Sequence, residues 1–421
     1  MKNKFLRNLS WIFVGNVLHA VFQFALSIYA ARILTKADYG LINYAASLIA
    51  LLTAIGTFGF NGMITKSFAE DEKEAGKYIG SAVAARCAFA VLGTVALQIF
   101  VRIANPADTV LPAVIFCQSI SMLFGSFDLL VYWYRFRARA DVVAILRLCA
   151  FFLSAAWRVA ALALGKGLLA YVIGTAAETV LFGTFLLIAY WWGKQPRIGF
   201  SFVKLKTMLR LSLPLMLSAI LITIYGETDK IMLKMMIDNT VVGVYSAALT
   251  LAGAISILPV ALIEGFRPDV LSFYHTDRET YKRRMRQLYA SVFWVCIAYS
   301  LFITLLAEPI ILLTYGEAYF DAVPALSLVV WYTAFSYFGS INNLYMVAEG
   351  KTLYVPIITV TGAGLNVLLN LLLIPHFDII GAAAASLATQ VVANFLLPAL
   401  IPALRPAFRL MLSGICLQKL K

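Results

Sequence analysis

Charge is scarce in this chain: Asp, Glu, Lys and Arg make up 13% of its 421 residues. A soluble chain carries about 25%. That shortfall excludes a soluble globular enzyme and a disordered regulator. Cysteine is scarce as well, with Cys87, Cys117, Cys149, Cys296 and Cys416 all in or beside apolar stretches. They form no CxxC pair and meet no histidine at metal-ligand spacing, so neither a disulfide scaffold nor a zinc site is expected. Acid is shorter still, 21 residues against 34 Lys and Arg, which leaves a net charge of +13. The basic residues are spread over many short segments. That distribution fits loop bias in a membrane protein and gives no nucleic-acid surface.

What the chain has instead is apolar bulk, 62% of all positions. A membrane-spanning helix needs about 20 mostly apolar residues, so there is material for roughly a dozen spans. Apolar runs interrupted by charge or turn residues predict twelve helices. They cover about 9–31, 40–60, 79–101, 110–131, 142–164, 168–192, 207–233, 241–265, 287–307, 322–347, 353–374 and 380–404. The first run is too long for a signal-peptide core. An even number puts both termini on one side. Of the 34 Lys and Arg, 25 fall on the terminal side, 6 on the other, and Arg86, Arg147 and Arg158 inside spans. The positive-inside rule then predicts that both termini are cytoplasmic.

Two terminal-side connections read as amphipathic helices on the membrane surface. In one, Lys66–Glu70 and Glu74–Lys77 sit at helical pair spacing; in the other, Thr276-Asp-Arg-Glu279 reads as a capping box before a basic segment. Tyr132-Trp133-Tyr134 reads as an interfacial aromatic anchor.

The chain also repeats itself at a separation of about 202 residues. Leu9-Ser10 corresponds to Leu211-Ser212, Asn16 to Ser218, Gln23 to Tyr225 and Ser27 to Asp229, with Gly59-Phe60 later matching Gly265-Phe266. The expected organisation is a six-helix lobe over 1–192, a basic cytoplasmic linker over 193–206, a second six-helix lobe over 207–404 and a short cytoplasmic tail over 405–421. Lobes of even helix number enter the membrane in the same sense, which implies a pseudo-twofold along the membrane normal and a cavity between them. Asn16, His19, Gln23 and Ser27 share one face of the first helix; Ser218, Tyr225 and Asp229 share one face of the seventh. Asn366 and Asn370 share one in the eleventh. These polar stripes either line a wet cavity or hold packed helices together.

Several stretches carry a family resemblance: Ala30-Ala-Arg-Ile-Leu-Thr-Lys-Ala-Asp-Tyr-Gly40, Thr228-Asp-Lys-Ile-Met-Leu233, Val242-Gly-Val-Tyr-Ser-Ala-Ala248, Gly364-Leu-Asn-Val-Leu-Leu-Asn370 and Ile380-Gly-Ala-Ala-Ala384. Together with twelve spans they resemble the bacterial polysaccharide-biosynthesis flippases, the O-antigen-type branch of the multidrug/oligosaccharidyl-lipid/polysaccharide exporter superfamily. The resemblance implies flipping of an undecaprenyl-pyrophosphate-linked oligosaccharide across the inner membrane by alternating access. Its expected partners are that lipid-linked cargo, membrane lipids and polysaccharide assembly proteins. It implies no cofactor beyond a coupling H+ or Na+.

Charges inside a bilayer cost about 2.5–3.5 kcal/mol each on insertion scales, so each is a functional candidate. Arg147 and Arg158 are three turns apart on one stripe, and Arg86 and Asp128 are expected at the depth of Arg147. Arginines so placed could hold a pyrophosphate by bidentate contact. The competing reading is that Asp128 neutralises one arginine while Arg158 snorkels outward. Glu178, Asp229 and Lys230 are expected either to couple an ion gradient or to form internal ion pairs. A cation-coupled multidrug exporter would need an acidic cavity, and buried arginines argue against it. A membrane glycosyltransferase or polysaccharide polymerase would need a larger outer loop than this chain supplies.

Overall fold

A computed structural model describes residues 2–106, 108–193 and 195–417, and side chains there except those of 2–14, 214, 215 and 218. The described chain is helical throughout. Among the described residues, nine stretches are long and apolar enough to cross a membrane, and one of these, Tyr354–Leu400, holds two helices. They meet at Asp378, whose φ of 55° and ψ of −132° interrupt the helical backbone three residues after Pro375. With the long helices Lys2–Ile33 and Phe202–Met236, the total is twelve.

We number these α1 (Lys2–Ile33), α2 (Lys36–Gly56), α3 (Ala75–Ala104) and α4 (Val110–Gly125, continued by Leu129–Phe136). Next come α5 (Ala140–Ala163), α6 (Gly167–Trp192), α7 (Phe202–Met236) and α8 (Asn239–Gly253, continued by Ile257–Thr276). The last four are α9 (Arg278–Leu305), α10 (Ala322–Val329, continued by Tyr332–Ala348), α11 (354–377) and α12 (379–400). A short terminal helix, α13 (Arg405–Ile415), follows. The chain divides into two compact units, Met1–Thr223 and Ile224–Lys421.

The surface is apolar where a soluble protein would be polar. On α3, Val91, Leu92, Val95, Ile99, Phe100 and Ile103 are all largely exposed, an arrangement suited to lipid. Each unit keeps its own aromatic core. In the first, Phe68, Trp133, Phe182, Leu186 and Tyr190 pack together. In the second, Tyr281, Met285, Tyr289, Phe338 and Tyr345 do so, with Met411 of α13 closing the cluster.

Trp133 is 1% exposed, stands edge-on to Phe68 at 5.3 Å and donates its indole N–H to Gln195 Oε1 at 2.8 Å. Trp133 and Tyr134 are therefore core and not an exposed anchor, packed with Phe68 of the short helix Ile64–Glu70, while Tyr132 is half-buried. The cap of α9 also differs from the expected box by one residue. Asp277, not Thr276, accepts the amides of Glu279 and Thr280 at 3.0 and 3.1 Å. The Thr280 hydroxyl and amide hold the Asp277 carboxyl below its ordinary range.

The segment between the sixth and seventh helices is strapped to α3. The Gly199 amide donates to Gly76 O at 3.2 Å, and Ser81 Oγ both receives the Ser201 amide and donates to Ser201 O. Gly76 and Gly80 make this approach possible: a Cβ on either would lie 2.1 or 2.2 Å from the carbonyl oxygen of Arg197 or Gly199. Lys204 completes the strap with Glu74 at 3.4 Å and lies over the Tyr78 ring.

Candidate functional site

The first unit encloses a cavity of about 330 Å³ between α2, α3, α4, α5 and α6. Three arginines, Arg86, Arg135 and Arg147, face it with a single acid, Asp128. The excess of two formal positive charges sits within helices suited to lipid. Local structure places each group. After α2 the chain turns through Phe58 and Gly59 at φ 50° and 67°. A left-handed Phe costs about 1–3 kcal/mol; here its ring is fixed against Phe60 and Phe89 at 5.5 and 5.6 Å. The turn presents Thr57 O and Asn61 Oδ1 to Arg86, which donates to them at 3.1 and 2.7 Å. Arg86 is 5% exposed, and its Nε has no partner.

Arg147 is half-buried on α5 with its guanidinium 4.9 Å from the Phe182 ring centre. No acceptor engages it among the described residues. Asp128 closes no ion pair among them either; its electrostatic partners are Arg147, then Arg86, then Arg135. Arg135 lies beyond the span expected at 110–131. Asp128, Tyr132 and Arg135 are spaced by four and three residues, one helical face, and α4 continues to Phe136. That spacing was the available signal. A smaller cavity, of about 20 Å³, adjoins Arg135 and Arg147 and takes in Asn16 of α1.

Arg158 does not join this group. It is 1% exposed and donates to Glu178 Oε2 at 2.8 Å, Ser154 Oγ at 3.1 Å and Gln23 Oε1 at 3.3 Å. His19 Nε2 meets the other oxygen of Glu178 at 2.8 Å. Two members of the polar stripe on α1, His19 and Gln23, thus complete an ion-pair network inside the unit, and Arg158 does not snorkel. Ser27 is bonded to Tyr39 Oη at 2.8 Å.

The second unit holds a different polar centre. Asp229, 6% exposed, accepts from Tyr245 Oη at 2.8 Å, Asn366 Nδ2 at 3.0 Å, Asn370 Nδ2 at 2.7 Å and Ser386 Oγ. Four neutral donors from three helices, α8, α11 and α12, converge on one carboxylate of α7. Lys230, beside it in sequence, pairs instead with Glu227 at 2.5 Å, because successive helical residues point about 100° apart. The Asn370 Oδ1 and the hydroxyl of Tyr225 are buried without a partner. Ser218 lies outside the described side chains.

A profile of polysaccharide biosynthesis proteins matches residues 5–264, more than half of the chain. The chain belongs to the polysaccharide biosynthesis protein family. Within this family's reach, it is 28% identical over 178 residues to the probable flippase AglR of Haloferax volcanii, a match covering 41% of this chain and 37% of AglR. The aligned part thus spans little more than a third of that relative. Solved structures extend the likeness in fold to almost the whole molecule. An inward-facing multidrug resistance MATE family transporter of the MOP superfamily superimposes with a TM-score of 0.70 at 17% identity, over 92% of this chain and 96% of that one. The lipid II flippase MurJ, in an inward closed conformation, gives 0.71 at 12% identity, over 96% and 91%. This member of the polysaccharide biosynthesis family is a multi-pass membrane protein with the all-helical, two-lobe fold of these transporters.

The Arg158–Glu178 pair yields a stability test. Glu178→Ala strands a buried guanidinium, and breaking such a pair costs about 3–5 kcal/mol. Thermal unfolding of the purified protein in detergent should show a clearly lower midpoint for Glu178→Ala. Replacing both residues with Met should restore most of the loss. An unchanged midpoint in Glu178→Ala would show that the pair carries no stability.

Proposed function

We propose that this chain flips a polyprenyl-pyrophosphate-linked oligosaccharide, with an undecaprenyl carrier, across the bacterial inner membrane by alternating access of its two lobes. The observation that carries the reading is the cavity of the first unit. It presents three arginines against one aspartate, and Arg147 has no acceptor among the described residues. Hydrocarbon excludes a diphosphate, which needs fixed cations along its route. Arg keeps its charge and grips phosphate with two parallel N–H bonds. In this reading Arg86, held by Thr57 O and Asn61, is the fixed end of the site, and Arg135 and Arg147 close on the cargo. Asp128 keeps the free arginines from repelling one another. Arg158 acts on the cargo only through the lobe it stabilises.

The family membership and the flippase relative support the lipid-linked glycan over a drug. A multidrug exporter of the same fold remains the second reading; its cationic cargo would meet a cavity of the wrong sign. An enzyme acting on lipid-linked sugars has less support. Even the long connection at 306–321 is taken up by the short helices Ala307–Thr314 and Glu317–Tyr319. Both termini are assigned to the cytoplasm on the distribution of Lys and Arg.

The Asp229 centre is assigned to ion coupling. A Na+ or a proton arriving there finds a carboxylate already stripped of water, with the hydroxyls of Tyr245 and Ser386 in contact. Rotation of the Asn366 and Asn370 amides would replace their N–H donors by oxygens, the ligands a hard cation prefers.

Flipping of a labelled lipid-linked oligosaccharide in proteoliposomes tests both assignments. Loss of a charged hydrogen bond of about 1.5–3 kcal/mol should slow Arg147→Ala by about 10–100-fold, with Arg147→Lys between it and the parent. Wild-type rates in Arg147→Ala and Arg86→Ala together would remove the cavity from the route. With an imposed ion gradient, Asp229→Asn should still flip downhill yet fail to accumulate cargo; full gradient response would remove Asp229 from coupling.

A further inference from the structure

A second concave site lies at the head of α9, within the second unit and far in sequence from the arginine cavity. It has a volume of about 560 Å³ between the start of α9, the end of α10 and α13. Its wall carries Arg278, Lys282, Arg286 and Arg409 against Glu279 and Glu349. Both acids are already engaged, Glu349 by Arg278 at 3.1 Å and Glu279 by Lys282 at 2.7 Å. Arg286 spends its Nε on Lys282 O at 3.2 Å and forms no ion pair among the described residues. Arg409, exposed on α13, forms none among them either. The site therefore offers two guanidiniums to an anion.

Two further features point to a ligand. Tyr281 is 2% exposed and lines the same hollow, and its hydroxyl is buried with no partner. The wall is also rigid: α13 buries Ala407, Met411 and Gly414, and a Cβ on Gly414 would lie 2.6 Å from Arg286 O. Arg286 and Arg409 thus rise from closely packed helix backbones.

Depth identifies the source of the anion. The 28 residues of α9 rise roughly 42 Å at about 1.5 Å each. The hydrocarbon core is about 30 Å thick. Since the apolar run starts near Leu288, the surplus is the basic first two turns, Arg278 to Arg286, which stand in the headgroup layer. Arg405, Pro406, Arg409 and Leu412 form the exposed face of α13 beside them, mixed basic and apolar as an interfacial helix is.

We propose that this groove binds the phosphate of an anionic phospholipid headgroup, with Arg286 and Arg409 as its ligands. The lipid ties α13 to the head of α9 and anchors the second unit at one leaflet. The proposal is independent of what the first unit transports.

The test uses the full chain purified in neutral detergent and its thermal midpoint. Phosphatidylglycerol in mixed micelles should raise the midpoint by several degrees in a saturable way, while phosphatidylcholine should not. Arg286→Gln with Arg409→Gln should lose that shift, and Lys at both positions should keep most of it. Arg409→Gln alone, on an exposed side chain with no ion pair to lose, should fold normally and weaken the lipid effect. Equal shifts with both lipids, or an undiminished shift in both the single and double Gln variants, would overturn the site. Inorganic phosphate alone reproducing the whole shift would overturn the lipid assignment.

Discussion

An ion in hydrocarbon must be paired, solvated by fixed dipoles, or kept for a charged visitor, and the polar interior of this protein follows from that constraint. The three cases stand apart in the structure. Arg158 is paired, bridging α5 to α6 through Glu178 and reaching α1 through Gln23. Asp229 is solvated by neutral donors, gathering helices α7, α8, α11 and α12 around one carboxylate. Arg135 and Arg147 face a cavity with too few acids to neutralise them. The first two centres bind each unit together. The third, with Arg147 half-buried and Arg135 exposed, is a charge excess that packing does not explain and that the proposed function assigns to the cargo.

The helices serve this arrangement through their irregular parts. The left-handed turn at Phe58 and Gly59 aims a carbonyl and an amide at Arg86. The turn at 126–128 carries Asp128 and swings Trp133 into the core, which leaves Tyr132 and Arg135 on the cavity side. The strap of residues 196–204 on α3 extends the first unit past its sixth helix, so the connecting segment is part of that unit's body.

Much of this was legible in the sequence, and the gaps have physical causes. Twelve apolar runs became twelve helices because lipid admits almost no other backbone. Arg86, Asp128 and Arg147 were expected at one depth, and they share one cavity. Arg158 sits on the stripe of Arg147 yet belongs elsewhere, because its partner is 20 residues away on another helix. Pairing across helices leaves no local pattern. Arg135 lies past the end of the apolar run, yet its spacing from Asp128 puts it on the cavity face. The glycines at 76 and 80 gave no hint of their purpose, since the carbonyls they admit come from Arg197 and Gly199, more than a hundred positions later. For Asp229 and Lys230 the sequence allows either ion coupling or internal ion pairs; Lys230 does pair, with Glu227, while neutral donors hold Asp229.

The central claim is that the cavity of the first unit is an anion site, and its sign can be measured directly. Equilibrium binding of a polyprenyl pyrophosphate to the purified chain should be saturable, should weaken as salt rises, and should be unaffected by a lipophilic cation such as tetraphenylphosphonium. Tight binding of the cation, with the pyrophosphate lipid failing to bind, would contradict the account.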